Sequence, residues 1–312
     1  MIVDVLLVLA GLALLVVGGD NLVRGAVALA LKLGIAPVIV GLTVLAFGTS
    51  APELIVSVAA ALGGQPGIAL GNVVGSNLAN VLLILGATAL IAPVLSNDDE
   101  LKSSWVYAML ASVLLIGLCF AGPLVWWHGA ILLTGLALTL YLQISRARGG
   151  RGHAPETPEL EIATDRGAKI ALWLGLGLVL LPIGARLLVD GATDIARGFG
   201  ISEAVIGLTL VAIGTSLPEL AASVASALRG RADMALGNVI GSNLFNILAI
   251  MGVTAFFGPL DVPDQMLRFD LWFMLATTAL LGPFLFRHIA VGRLAGGVLI
   301  AIYAAYTVWL LA

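Results

Sequence analysis

The sequence predicts an all-α polytopic membrane protein: ten transmembrane helices arranged as two inverted five-helix repeats. Three observations predict it. Of 312 residues, 60% are hydrophobic and only 11% are charged, against roughly 25% charged in a soluble domain; the mean hydropathy is +1.11. The apolar residues fall into runs of about 20, the length a helix needs to cross a bilayer. The two halves of the chain also repeat one another at a constant offset of 166 residues.

Taken in order, the expected spans are 3–26, 35–62, 69–92, 103–121, 124–144, 168–190, 201–228, 235–257, 269–286 and 290–311. The start, Met1-Ile2-Val3-Asp4, has no basic region, so the first run reads as a retained helix. Breakers separate the next spans: Gly63-Gly64-Gln65-Pro66-Gly67 and Gly122-Pro123. Residues 145–167 carry Arg146, Arg148, Arg151, Pro155 and Pro158 with four acidic residues, and read as a solvated linker. This divides the chain into a first repeat (1–144), the linker (145–167) and a second repeat (168–312). Cys119 is single and lies in an apolar run, which excludes a disulfide framework. A net charge of −3 says little where no large soluble surface exists, and no nucleic-acid partner is expected.

The repeat is a duplication without insertion. Thr49 and Thr215, Glu53 and Glu219, Gly71 and Gly237, Ser76 and Ser242, Asn80 and Asn246, and Pro93 and Pro259 all share the 166-residue offset. Five helices is an odd number, so the second copy enters the membrane the opposite way round. Basic residues test this. With the linker cytoplasmic, twelve fall inside: Arg24, Lys32, Lys102, Arg146, Arg148, Arg151, Arg166, Lys169, Arg229, Arg231, Arg287 and Arg293. Only Arg186, Arg197 and Arg268 fall outside. That is the positive-inside pattern, and it makes both termini extracytoplasmic. Inverted repeats are characteristic of secondary transporters, which hold substrate near the midplane between their halves.

The chemistry lies in Gly48-Thr49-Ser50-Ala51-Pro52-Glu53 and its copy Gly214-Thr215-Ser216-Leu217-Pro218-Glu219. A carboxylate at mid-span costs roughly 2.5–3.5 kcal/mol on insertion scales. Pro52 has no N–H for the Gly48 carbonyl, and Pro218 none for that of Gly214, so both helices are expected to break there. Carbonyls around Ala46–Thr49 and Ala212–Thr215 are expected to become available, beside the hydroxyls of Thr49, Ser50, Thr215 and Ser216. In the following helix Asn72, Ser76 and Asn80 form one stripe at a spacing of four, and Asn238, Ser242 and Asn246 repeat it. Gly71, Gly75, Gly237 and Gly241 let backbones approach closely beside it. Taken singly, such a kink or glycine row is ordinary packing; the glutamate, written twice, argues for more. Two carboxylates among neutral oxygens suit a hard cation, calcium or sodium. No cysteine lies in the motifs, and His128, His153 and His288 sit at helix ends or in the linker, which disfavours zinc or copper. Asp20 with Arg24, and Arg186 with Asp190, read as i,i+4 ion pairs, structural or gating. Asp98-Asp99-Glu100 reads as a solvated loop.

The two Gly-Thr-Ser-x-Pro-Glu stretches, with Gly71-Asn72…Gly75-Ser76-Asn77…Asn80 and Gly237-Asn238…Gly241-Ser242-Asn243…Asn246, resemble the two α-repeats of the calcium/cation antiporter superfamily. The resemblance spans essentially the whole chain and is to the prokaryotic sodium/calcium exchangers. It implies antiport of Ca²⁺ against Na⁺ in a bacterial or archaeal plasma membrane, with no cofactor beyond the transported ions; the sequence leaves the oligomeric state open, and a monomer is compatible with it. It implies that Glu53 and Glu219 are shared by calcium and sodium, and that Thr49 and Thr215 help coordinate calcium. Ser50, Ser216, Ser76, Ser242 and the carbonyls of Ala46 and Ala212 form flanking sodium sites, and Asn80 and Asn246 complete the centre. The first and sixth helices would slide across helices 2, 3, 7 and 8.

Other readings compete. Buried glutamates also relay protons, so H⁺/Ca²⁺ antiport is the nearest alternative. A passive channel could use carboxylates, but an inverted repeat with broken helices favours alternating access. An intramembrane hydrolase would need a base near Ser50 or Ser216, and no histidine lies at that depth. Some potassium-dependent members carry Asp at one of the Asn80/Asn246 positions, whereas both are Asn here. Transport is therefore expected to be independent of potassium; exchange measured with and without K⁺ checks this, and a strict requirement would refute it.

Overall fold

Two 32-residue helices, α1 (Ile2–Leu33) and α7 (Gly167–Gly198), lie antiparallel against each other along their length. The contacts between them come from glycines seven apart. Gly11 sits against Gly184 and Leu188, Gly18 against Leu181, Gly25 against Leu174, Gly177 against Leu22 and Gly191 against Asp4. A Cβ added at Gly11 would stand 2.7 Å from the Gly184 carbonyl oxygen, and one at Gly184 2.9 Å from that of Gly11. Gly11, Gly18 and Gly25 repeat as Gly177, Gly184 and Gly191 at the 166-residue offset. Equivalent helices therefore run in opposite directions, as an inverted repeat requires.

This computed structural model describes residues 2–95, 98–149, 167–200 and 212–311. The remaining helices are α2 (Pro37–Thr49), α3 (Ala51–Leu62), α4 (Pro66–Ile91), α5 (Asp99–Phe120), α6 (Trp126–Gly149), α8 (Leu217–Leu228), α9 (Ala232–Thr254), α10 (Met266–Phe286) and α11 (Arg293–Leu311). Among the described residues eight helices are long and apolar enough to span, and α2 with α3, bent by 43°, makes a ninth. The first part of the expected 201–228 span lies outside the described residues, as do His153 and linker residues 150–166.

Several boundaries differ from expectation. The first and sixth spans run to residues 33 and 198 rather than 26 and 190, and the pairs Asp20–Arg24 and Arg186–Asp190 lie on the helix surface within them. Thirty-two residues make about 48 Å of helix, more than a hydrocarbon core of about 30 Å. Helix α1 ends where Gly34 takes a φ of +65°, with the Ile35 N–H on the Ala30 carbonyl at 3.0 Å. The third span begins at Pro66, whose missing N–H is no loss at a first helical position. Asp98-Asp99-Glu100 is not a free loop: Asp98 caps α5 by accepting from the Glu100 N–H at 2.8 Å, with the other two acids in the positive first turn. Helix α6 continues to Gly149 into the expected linker, and the Arg146 guanidinium lies over the Tyr107 ring at 5.7 Å.

The repeats interlock. Helix α11 crosses α4 where Gly86 and Gly296 meet backbone to backbone, and α6 crosses α9 where Gly129 meets Gly252. Short antiparallel bridges, Val94 with Val291 and Leu124 with Leu260, tie the loops in the same exchanged way. Gly129 and Gly296 are 167 apart, so the expected absence of any insertion holds only through the third helix, after which the second copy gains one residue. Each half thus packs its last helix on the other's third, and a continuous apolar core runs through α4, α5, α9 and α10. Replacing Gly184 with Val should destabilise the purified protein by about 1–3 kcal/mol through overpacking. Gly117→Ala, where nothing lies within 4 Å, should be neutral or stabilising; thermal unfolding in detergent measures both.

Candidate cation site

The two Pro-Glu motifs meet at the breaks in their helices. Ser50, between α2 and α3, has φ −83° and ψ 6°; Ser216, ahead of α8, has φ −90° and ψ 4°. Pro52 and Pro218 stand at the second position of the helices that follow, where a proline is tolerated and a glutamate one residue on lies in the positive first turn. Glu53 and Glu219 are 1% and 2% exposed.

The first copy reaches directly into the second. Ser50 Oγ donates to Glu219 Oε1 at 3.1 Å. Thr49 Oγ1 lies 3.4 Å from Asn238 Oδ1 and 3.4 Å from the Ala46 carbonyl oxygen. That carbonyl, expected to be left free, also accepts the Ser50 N–H at 3.1 Å, so only further lone-pair capacity remains to it. In the second copy the Ser216 N–H turns instead to the Ile213 carbonyl, one residue past Ala212. Thr215 is half-buried beside it.

The neighbouring helices hold the glutamates by their main chain. Asn72 Nδ2 donates to the Glu53 carbonyl at 3.0 Å and to Ser57 Oγ at 2.9 Å. Asn238 Nδ2 repeats this on the Glu219 carbonyl at 3.3 Å and Ser223 Oγ at 3.0 Å. Helix α9 approaches α2 closely because Gly237 and Gly241 face Val38 and Leu42; a Cβ at Gly241 would stand 2.6 Å from the Leu42 carbonyl oxygen. Ser76, Ser242, Asn80 and Asn246 are all buried. Asn80 and Asn246 each open a five-residue π-helical turn, Asn80–Ile84 and Asn246–Ile250, a local widening common at functional positions.

What distinguishes the cluster is what its oxygens lack. Both carboxylate oxygens of Glu53, Glu219 Oε2, Asn80 Oδ1, Asn246 Oδ1, Ser216 Oγ and Ser242 Oγ are buried without a hydrogen-bond partner among the described residues. Seven such oxygens on elements that meet at the helix breaks form an acceptor-rich cradle, and calcium takes 6–8 oxygen ligands. Among the described residues no group of three His, Cys, Asp or Glu side chains could hold a metal, so neutral oxygens supply most of any coordination here. His128 lies apart, accepting the Val125 N–H at 3.1 Å on Nδ1 near the start of α6.

Sequence reasoning brought together Glu53, Glu219, Ser50 and the asparagine stripe, but missed several partners. Ser57 and Ser223 stand four residues after each glutamate, and Asn77 and Asn243 lie within the repeated Gly-Ser-Asn; the 166-residue offset could have flagged all four. Arg229 was counted only for topology. At the end of α8 it donates to Asp20 of α1, its Nε at 2.7 Å from Oδ1, while Arg24 Nε holds Oδ2 at 3.1 Å. No such arginine exists in the first copy, where position 63 is glycine. Gly19 packs on Ala221 of α8, and Ala222 is 0% exposed. The equivalent Val56 on α3 is 36% exposed, so α1 covers α8 at a place where α3 is left exposed.

Comparison with known proteins bears on the whole chain. The family described as "Sodium/calcium exchanger protein" matches residues 3–145 and again 169–312. The putative antiporter CaxA of Alkalimonas amylolytica is 40% identical over 289 residues, covering 89% of this chain and 88% of that protein. The sodium/calcium exchanger MaX1 of Methanosarcina acetivorans is 35% identical, covering 98% of each. A structure of the sodium-calcium exchanger NCX_Mj soaked with zero Na⁺ and Ca²⁺ superposes with a TM-score of 0.85 at 33% identity, covering 99% of both chains.

Asn238→Ala strips partners from Ser223, the Glu219 carbonyl and Thr49 together. It should lower stability by about 1–3 kcal/mol, and more than Asn72→Ala, whose site is only partly buried; thermal unfolding compares them.

Proposed function

Since this chain belongs to the sodium/calcium exchanger family, and is a multi-pass cation antiporter rather than an enzyme, we propose that it exchanges Ca²⁺ for Na⁺ by alternating access. The observation that carries the reading is the buried set of unpartnered oxygens around Glu53 and Glu219. A buried acceptor without a donor is destabilising on its own, and a hard cation removes that cost. The two carboxylates neutralise one Ca²⁺ or two Na⁺, so either load leaves the site electrically balanced. A third Na⁺ would make exchange electrogenic.

In this reading Glu53 and Glu219 bind whichever ion is carried, with Thr49 and Thr215 beside them. Ser50, Ser216, Ser76, Ser242 and the carbonyls of Ala46 and Ala212 form the flanking sodium positions, and Asn80 and Asn246 complete the centre. No cofactor enters, and a single chain suffices. The basic-residue asymmetry supports a cytoplasmic linker and extracytoplasmic termini in a bacterial or archaeal plasma membrane. Helices α1 and α7, fastened by glycine contacts, would slide as a pair over the core. The Asp20–Arg229 contact would hold α1 over the linker side in the state seen here, and the uncovered α3 face marks the side open to ions.

Reconstituted vesicles loaded with Na⁺ should take up Ca²⁺ when diluted into Na⁺-free medium. Uptake driven by a proton gradient but not by a sodium gradient would replace this reading with H⁺/Ca²⁺ antiport. Glu53→Gln and Glu219→Gln should each abolish flux in a protein that still folds; retained flux in either would break the two-carboxylate scheme.

A further inference from the structure

An asparagine facing a cation has two ends, and only one of them helps. Its carbonyl oxygen is a ligand; its amide nitrogen is a donor that repels the ion. Asn80 and Asn246 each have to present oxygen, and nothing in either side chain alone decides which end points inward.

Two hydrogen-bonded chains decide it, and both cross between the repeats. Asn243 Nδ2 donates to the backbone carbonyl of Asn77 at 3.3 Å, an atom that only accepts. This turns Asn243 Oδ1 toward Asn80, whose Nδ2 donates to it at 2.9 Å. Asn80 Oδ1 is left buried and unpartnered among the described residues. In the second chain Asn77 Nδ2 donates to the thioether of Met274 at 3.4 Å, again an acceptor only. Asn77 Oδ1 then takes Asn246 Nδ2 at 3.0 Å, and Asn246 Oδ1 is left free in the same way. Reversing any one amide would set oxygen against oxygen or nitrogen against nitrogen, so the acceptor-only ends fix the polarity of both chains.

We propose that Asn77 and Asn243 are positioning residues that hold Asn80 and Asn246 oxygen-first toward the transported cation, each repeat orienting the ligand of the other. The proposal rests on the reading that Asn80 and Asn246 face the ion. Neither Asn77 nor Asn243 needs to touch it.

The test is a double-mutant cycle on the full-length protein in vesicles, reading the apparent KM for Ca²⁺ in sodium-driven uptake. Asn243→Leu should raise KM about tenfold, the scale of one misdirected polar ligand, with the maximal rate changed far less. In an Asn80→Asp background the same substitution should leave KM unchanged or lower it, because a carboxylate presents oxygen whichever way it turns. An equal rise in both backgrounds would mean that Asn243 acts only through packing, and no rise in the parent would mean that it acts not at all; either overturns the proposal. Should Asn243→Leu fail to fold, Asn77→Leu with and without Asn246→Asp poses the same question through the other chain. If the unsubstituted protein carries no Ca²⁺, the functional reading falls and this one with it. If it does and the cycle shows no coupling, only the positioning role falls.

Discussion

At bilayer depth there is no water to satisfy a polar atom, and every buried donor or acceptor must find a partner within the protein. Around Glu53 and Glu219 this constraint is met for the asparagine amides and left open for a set of oxygens. The amides of Asn72 and Asn238 go to glutamate carbonyls and serines, and those of Asn77, Asn80, Asn243 and Asn246 form chains ending on a carbonyl or a thioether. Once those amides are committed, both carboxylate oxygens of Glu53, Oε2 of Glu219 and Oδ1 of Asn80 and Asn246 lack a donor among the described residues, and the hydroxyls of Ser216 and Ser242 lack a partner there. A cation is the natural complement, and the helix breaks, π-turns and close glycine contacts all bring that set of oxygens together.

Close approach is the second requirement. Short side chains such as Ser and Asn span little distance, so the backbones carrying them must nearly touch. Gly241 against Leu42 places α9 on α2, while Gly86 with Gly296 and Gly129 with Gly252 seat each repeat's last helix on the other's third. The α1–α7 seam uses the same device for a different end, joining the two longest helices to each other rather than to the core. Leucines of each helix seat against glycines of the other, which fastens α1 and α7 together.

Much of the site was legible because duplication writes it twice. A proline and a glutamate in mid-span are conspicuous once; at a fixed offset they identify each other. What was not legible depends on which residues stand opposite. Ser50 pairs with Glu219 across the molecule, while Ser216, its equal in sequence, has a buried oxygen without a partner among the described residues. Asp20 pairs with Arg24 within its helix, as spacing suggests, but its bond to Arg229 comes from a helix 209 positions away. Asp98 looked like part of a solvated acidic run and is a helix cap, because capping depends on the backbone turning at that residue.

Composition and period by themselves determined the class of the protein, the approximate places of most of its spans, their inverted duplication and the identity of two carboxylates among neutral oxygens. These follow from local chemistry: apolar run length, odd helix count and the cost of charge in lipid. The tertiary structure decided the rest. It chose which hydroxyl reaches which glutamate, turned four asparagines so that oxygen rather than nitrogen is left over, and laid α1 over α8 while leaving Val56 at the equivalent place on α3 exposed. A duplicated sequence is symmetric to within its substitutions, whereas a membrane protein holding α1 over one face only is not. That asymmetry resides in the packing of nearly equivalent surfaces, and no local pattern records it.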